Sequence, residues 1–248
     1  MTHAPHDDDA TGWLAAATVD AAVFDLRPDY RALLLNADGL RGGPSDATSD
    51  GILGAAEATA RARLGGQQPE LLPHPAAWRE AYRAFGAKPQ RTRPSVEALL
   101  RRVEPDGLPR IDRITDVYNA VSIAHQLPIG GEDRAAYAGV ARLVRADGTE
   151  PFDTTADGGP AVEHPEPGEV VWRDDAGVTC RRWNWRQCTR TRITTATTSA
   201  VFILDALDPM TDDAVAAAAD ALTGALLALC PGAAVQRRLL TAHGGRPC

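Results

Sequence analysis

The hydrophobic period of this 248-residue chain changes near residue 135, and that change limits the folds open to it. Before it, apolar residues recur at helical spacing. Beyond it, short alternating segments are divided by Asp-Gly, Gly-Gly-Pro and Asp-Asp-Ala-Gly turns. Helices and strands that segregate along a chain point to an α+β fold rather than a doubly wound parallel sheet. The sequence therefore predicts N-terminal helices, a mixed or antiparallel β-rich half and a C-terminal helix. At 26.3 kDa such a chain buries a core without staples. The expected organisation is a disordered acidic tail over residues 1–10 and a single domain over residues 11–248.

Two short strands are expected between Leu14 and Leu35, where Ala21-Ala-Val-Phe24 and Leu33-Leu-Leu35 flank the turn signal Arg27-Pro28-Asp29. Residues 36–51 read as a loop, followed by a helix over Gly51–Leu64 with Asp50 as its cap. After a proline-punctuated linker (Pro69–Pro75), Trp78, Tyr82 and Phe85 fall at i, i+4 and i+7, one inward-facing aromatic stripe ended by Gly86. A third helix places Val96, Leu99, Leu100 and Val103 on its apolar side. A fourth, Ile111–His125, buries Ile114, Val117, Tyr118, Val121 and Ile123. Pro128-Ile-Gly-Gly131 reads as a tight loop. Strands are expected at Ala141–Val144, Glu169–Trp172, Val178–Trp185 and Ala200–Leu204, and an alanine-rich helix over Asp212–Leu229 stops at Pro231-Gly.

The segment 214–234 carries Asp220 and Pro231 and reads as a buried helix rather than a membrane span. The acidic N-terminus does not resemble a signal peptide, so the expected location is the cytoplasm. Cys180, Cys188, Cys230 and Cys248 have no C-x2-C spacing and read as reduced thiols, with no metal and no cofactor implied. A net charge of −7 argues against a general nucleic-acid binder but hides an asymmetry. Eleven acids face five arginines over residues 1–75, whereas nine bases face five acids over residues 79–113. Five arginines and no acid occupy residues 180–192. A chain so polarised can turn one basic face to a polyanion.

No nucleophile elbow, zincin helix, phosphate loop or dinucleotide fingerprint is present. Of the six histidines only His125, ahead of a glycine-rich loop, is a candidate for a functional role, and termination of its helix is the commoner reading of such a residue. Asp112 and Asn119 are two turns apart on one helix face, where polar groups need partners or a ligand. The Gly130-Gly131 pair lets a backbone come close to a substrate, and Glu132-Asp133 suits a cationic group. In Cys180-Arg-Arg-Trp-Asn-Trp-Arg-Gln-Cys188, strand alternation predicts Arg182, Asn184 and Arg186 on one face and Arg181, Trp183 and Trp185 on the other. Tryptophan interleaved with arginine suits bases and phosphates, although a core role is commoner. Thr189–Thr198 reads as a strand or a hydrogen-bonding loop leading to Asp205.

At these segments, from about Trp78 to Leu207, the chain resembles the B3/B4 tRNA-editing domain of the bacterial phenylalanyl-tRNA synthetase β subunit, in its free-standing form. The helix bearing Asn119 is similar to the family's V-D-x-x-N helix. Leu127-Pro-Ile-Gly-Gly-Glu-Asp133 is similar to its Q-P-x-H-A-F-D loop, with Asp133 on the terminal aspartate. Thr194–Asp205 is similar to V-T-x-E-T-x-N-V-x-L-E, with Asp205 where the synthetase has a pocket glutamate. The Arg-Arg-Trp-Asn-Trp-Arg string is typical of the free-standing proteins. Gly130 stands where the synthetase has a histidine, and Ala196 where it has a glutamate, so a pocket that senses a tyrosine hydroxyl is not implied.

The resemblance implies a trans-acting aminoacyl-tRNA deacylase using water as nucleophile, with mischarged tRNA as partner and neither DNA nor membrane. Free-standing relatives include enzymes that clear tRNA carrying arginine analogues such as canavanine. On this reading Asn119, the Gly130 and Gly131 backbone and Asn184 position ester and water, with Asp133 in the catalytic group. Glu132, Trp183, Thr194 and Asp205 contact the substrate, the acids taking its α-amino group or a basic side chain. Arg181, Arg182, Arg186 and Arg190 hold the tRNA. A non-catalytic tRNA-binding module, a structural partner of a synthetase, and a small-molecule amidase or esterase are the alternatives.

Overall fold

The computed structural model describes residues 6–104 and 106–247. Its helices are α1 (His6–Ala16), α2 (Ala21–Leu26), α3 (Ala47–Leu64), α4 (Pro73–Ala84), α5 (Ser95–Val103), α6 (Arg113–His125) and α7 (Asp212–Leu229). Strands β1 (Thr18–Val19) and β2 (Arg31–Asp38) lie in the N-terminal third, and β3 (Ile129–Asp133) follows α6. Then come β4 (Arg142–Arg145), β5 (Phe152–Ala156), β6 (Gly159–Glu163), β7 (Val170–Arg173), β8 (Val178–Arg181), β9 (Arg186–Gln187) and β10 (Ser199–Ala206). After α7 the chain adds β11 (Ala234–Leu240) and β12 (Arg246–Pro247). The architecture is α+β.

Five strands in the order β12-β11-β2-β10-β3 form an antiparallel sheet that organises the molecule. Its two faces follow from strand alternation. Leu33, Leu35 and Ala37 of β2, with Ala200, Phe202, Leu204 and Ala206 of β10, point toward α6 and α7. There they meet Val117, Val121, Leu222 and Leu226 in one core. Ala32, Leu34, Val201 and Ile203 point the other way. They pack against α4 and a second sheet, β1-β4-β7-β8-β9, through Trp78, Tyr82, Leu143, Trp172 and Trp183. A third core joins α3, α5 and α6 around Leu53, Val96, Leu100 and Ile123. No helix among the described residues is long and apolar enough to cross a membrane.

Several local expectations are revised. Helix α1 begins at His6, inside the stretch expected as a disordered tail, and Ala10 is buried; residues 1–5 lie outside the described residues. Ala21–Leu26 is a helix rather than a strand, because the Asp20 side chain accepts from the Ala22 amide and starts a turn there. Helix α3 starts four residues earlier than expected, capped by Asp46 in a reciprocal box with Ser49. The linker at residues 69–75 holds a short 3-10 turn and the first turn of α4.

The predicted tight loop at residues 128–131 is instead the start of edge strand β3, paired in register with β10. Residues 178–185 do not form one strand. Arg182 and Trp183 both take positive φ, 48° and 68°, so the chain turns back between β8 and β9. The alternation predicted for the arginines and tryptophans is therefore broken. Thr189–Thr198 is mainly loop, with one bridge from Arg192 to Glu132.

Candidate functional site

A cavity of about 210 Å³ lies where α5, α6, the β3–β10 edge of the large sheet and the β8–β9 hairpin meet. Register decides which residues reach it. Gly130 pairs with Ile203 and Glu132 with Val201, so these four share the inter-sheet face of the large sheet, and Asp205 follows two residues after Ile203. Gly131 and Asp133 fall on the opposite face. Larger hollows exist, including a groove of about 740 Å³ bordered by Thr11, Asp220 and Gln236, but no buried acid or base lines that groove.

Two carboxyls inside the cavity are almost wholly buried, Glu132 at 1% exposure and Asp205 at 2%. Burial pushes each up to about 7, and nearby negative charge adds to the rise, from Asp174 on Glu132 and from Glu132 on Asp205. Hydroxyl donors temper the rise. Tyr137 and Thr191 both donate to Oε2 of Glu132, at 2.7 and 2.8 Å. Asp205 is held at both oxygens: Tyr30 donates to Oδ1 across 2.6 Å, and the Asn184 amide faces Oδ2 at 3.4 Å. Both bonds fall on Oε2 of Glu132, and the Thr179 hydroxyl also acts on this carboxyl, whereas Asp205 is anchored at each of its oxygens.

Asn119 projects from α6 into the same cavity with 8% exposure, and its side-chain amide has no partner among the described residues. Its amide therefore opens into the cavity, where a ligand or water can bond to it. Asp112, its expected companion, is different. It is the N-cap of α6, accepting from the amide and hydroxyl of Thr115 at 2.7 Å each, so local structure accounts for it.

The two glycines separate in role. A Cβ on Gly131 would fall 2.7 Å from Cε1 of Tyr118 and 2.9 Å from Cδ1 of Ile193, so what comes close to this backbone is an aromatic ring of the core. Its carbonyl accepts from Nε2 of Gln187 at 2.9 Å. Gly130 lines the cavity, where a Cβ would sit 3.2 Å from that same Gln187 nitrogen.

The other predicted residues divide sharply. Asn184, Trp183 and Arg186 line the cavity. Trp183 is nevertheless fully buried, edge-on to Tyr30 and Trp78 with ring centroids 4.9 and 5.2 Å away, which makes it mainly a core residue. Asp133 and Thr194 do not line it. Asp133 accepts from the Ala135 amide and the Thr197 hydroxyl, and Thr194 takes part in the same loop through Thr197. Arg181 is buried with its guanidinium bonded to Glu169 through Nε and Nη2 and to Glu163 through Nη1, at 2.9–3.0 Å. Arg190 grips Asp174 with two bonds of 2.8 and 2.9 Å. Neither guanidinium is free for a phosphate. Arg182 lies over the Trp185 ring at 4.5 Å, and Arg186 reaches Thr154 and Glu163 from the cavity wall.

His74 and His125 take no part in the cavity. His74 is buried, held down at about 4 by desolvation, with Nδ1 against the Gln126 carbonyl and Nε2 accepting from Trp78 and Leu207. It is a fully bonded structural residue. His125 ends α6, and burial together with the Arg63 charge lowers it.

Residues that sequence reasoning did not select complete the site. Tyr82, from α4, donates to Oδ1 of Asn184 at 2.9 Å. Tyr30, Tyr137 and Thr191 fix the two acids. Arg102, in the last turn of α5, lines the cavity mouth, and no acid partners it among the described residues. The polarity of the cavity is clear: two buried acids at the floor, arginines at the rim.

The B3/4 domain family model matches residues 77–231, more than half of the chain and the whole of this cavity's lining. No curated protein matches the chain in sequence. Among solved structures it is similar to an N-terminal fragment of the phenylalanyl-tRNA synthetase β subunit from Pyrococcus horikoshii, at 13% identity and a TM-score of 0.49. That likeness covers 93% of this chain and 53% of the other, so the chain spans about half the length of the fragment.

Proposed function

The chain belongs to the B3/4 domain family, and we propose that it is a trans-acting aminoacyl-tRNA deacylase that hydrolyses the ester of a mischarged tRNA. One observation carries this reading: a single cavity has buried acids at its floor, an unpartnered carboxamide on its wall and arginines at its mouth. An aminoacyl ester on a nucleic-acid end has the matching polarity, with a cationic amino group on one side and phosphates on the other. The resemblance of the Asn119 helix and the Thr194–Asp205 stretch to editing domains supports the same assignment.

An aminoacyl ester is already activated, so a serine or cysteine nucleophile is unnecessary. Glu132, with Oε2 fixed by Tyr137 and Thr191, takes a proton from water through Oε1 as the water adds to the ester carbon. Asn119 donates its amide to the oxygen on which negative charge develops. The tetrahedral adduct then expels the ribose oxygen, which recovers the proton, leaving a free amino acid and an intact tRNA. Asp205, with Asn184, forms the acidic end that receives the substrate's α-amino group or a basic side chain. An arginine analogue such as canavanine is the candidate residue removed. Arg102, Arg182 and Arg186 face the acceptor end, and the reaction belongs in the cytoplasm with the charged tRNA pool.

The test is a deacylation time course over a panel of cognate and mischarged aminoacyl-tRNAs, including arginine-analogue esters. Faster loss of one mischarged species than in buffer alone is expected. Decay of every ester at its buffer rate, with tRNA still bound, would instead make the chain a tRNA-binding module. Turnover of free amino-acid esters or amides without any dependence on tRNA would point to a small-molecule hydrolase.

A further inference from the structure

We infer that Lys88, Arg91 and Arg102 form a track for the phosphodiester backbone of a single-stranded RNA end entering the cavity. The inference rests on the proposal that an RNA-linked ester is the substrate, and it extends the RNA contact from Arg182 and Arg186 to the α4–α5 segment.

The charge balance of that segment is unusual. Residues 86–103 hold five bases and one acid, Glu97. Glu97 is fully buried and surrounded by Arg79 at 2.8 Å, Arg101 at 3.1 Å and Arg93 at 3.5 Å, so it cancels none of the remaining surface charge. Lys88, Arg91 and Arg102 are exposed, and among the described residues none has an acid partner. Most other arginines of this chain are paired, Arg181 and Arg190 among them. Keeping three cations unpaired and close in sequence on a chain of net charge −7 is what a polyanion contact requires.

Geometry ties these cations to the cavity. The Lys88 carbonyl accepts from the amides of Arg91 and Thr92 at 2.8 and 3.0 Å, a tight turn that holds Lys88 and Arg91 together. Three residues on, the Ser95 amide donates to the Asn184 carbonyl at 3.2 Å, fastening the start of α5 to the β8–β9 turn. Ser95, Ala98, Leu99 and Arg102 then recur at helical spacing along the side of α5 that borders the cavity. Arg102 stands at the mouth, and the Lys88–Arg91 turn at the other end of the helix. Phosphates laid along this edge would leave the terminal ribose over the cavity.

The test compares the unsubstituted chain with the triple variant Lys88→Gln, Arg91→Gln, Arg102→Gln, and with Arg237→Gln as a control outside the segment. Binding of unacylated tRNA and of a short single-stranded RNA with the same 3′ end is followed by fluorescence anisotropy across a salt series. Thermal unfolding confirms that each variant is folded. Each phosphate contact on a single strand contributes roughly 0.7 to the slope of log affinity against log salt, so the triple variant should lose about 2 from that slope and at least about tenfold in affinity at low salt. The control should lose neither. An unchanged slope in the triple variant, or no RNA binding by the unsubstituted chain, overturns the track. Because the readout is binding, a reduced slope stands even if no ester is hydrolysed. Persistent turnover with an unchanged slope would overturn the track and leave the deacylase intact.

Discussion

The Tyr82 hydroxyl donates to Oδ1 of Asn184 across 2.9 Å, and that bond settles which end of the amide faces Asp205. With its oxygen held by α4, Asn184 turns its nitrogen to Oδ2 of Asp205, while Tyr30, just ahead of β2, closes Oδ1. Three segments far apart in sequence thus lock one buried acid. Tyr82→Phe leaves the Asn184 oxygen without its donor, at a cost of about 1–3 kcal/mol in stability. Deacylation should fall more than stability alone explains. Denaturant unfolding beside steady-state kinetics would separate the two effects, and unchanged turnover would remove Tyr82 from the positioning network.

Glu132 links stability to pH. In the folded chain its carboxyl is pushed up to about 7, from an ordinary 4.5. Between those values the folded state holds a proton that the unfolded state has released. The contribution is therefore fully present below about pH 4.5, declines as pH rises toward 7, and levels off above it. Glu132→Gln removes that decline while keeping an oxygen to accept from Tyr137 and Thr191. Urea unfolding at acid and alkaline pH should show a smaller difference in the variant than in the parent; an equal difference would contradict the assignment.

The rate should follow the opposite trend. A base must be ionised to accept a proton from water, so deacylation should rise through neutrality with an apparent midpoint near 7. Asp205, raised to about 7 as well, titrates over the same range, and the midpoint belongs to the pair. A single-turnover pH profile that is flat between about pH 5.5 and 8.5 would argue against a carboxylate base in this cavity.

Arg181 should behave as a structural residue. From β8 it pairs with Glu169 and Glu163, and Arg181→Gln would strand the buried Glu169 charge. The expected cost is about 3–5 kcal/mol of stability. Thermal unfolding should show a large fall in Tm. A stable variant with weakened RNA binding would reverse this assignment.

Gly131→Ala should also act on the fold, since the new Cβ would meet the Tyr118 ring at 2.7 Å. Overpacking of this kind costs about 1–3 kcal/mol. Alanine at Gly130 meets only the Gln187 amide, the end of a flexible side chain, and should be the better tolerated of the two in urea titrations.

Regular periodicity made some elements plain in the sequence. The boundaries of α7 coincide with its apolar stripe, because Thr211 caps one end and Pro231 follows the other. The aromatic stripe of α4 was equally legible, with Trp78 and Tyr82 fully buried. β11 gives no strand signal in the sequence, since Gln236, Arg237 and Arg238 interrupt its apolar pattern and its partners lie about two hundred residues earlier in β2. Arg182 and Trp183 gave no turn signal, as neither residue favours positive φ.

The site was legible only where one segment carries it. Asn119, Glu132, Asn184 and Asp205 stood out as polar residues among apolar neighbours, and they line one cavity. Tyr30, Tyr82 and Tyr137 looked like ordinary core aromatics, because their hydroxyl partners are supplied by tertiary contact. The arginines of 181–190 drew attention by density. Density does not reveal pairing, and the acids that neutralise Arg181 and Arg190 come from β6, the β6–β7 connection and the β7–β8 turn.

The central claim is that Asn119 and Glu132 act on an RNA-linked ester in one cavity. Its most direct measurement is single-turnover deacylation of the preferred mischarged tRNA by the parent, Asn119→Ala and Glu132→Gln, with tRNA affinity measured on the same preparations. The predicted result is a loss of about 10²-fold or more in rate for each variant with affinity and fold retained. Parent-like rates in both variants would contradict the claim.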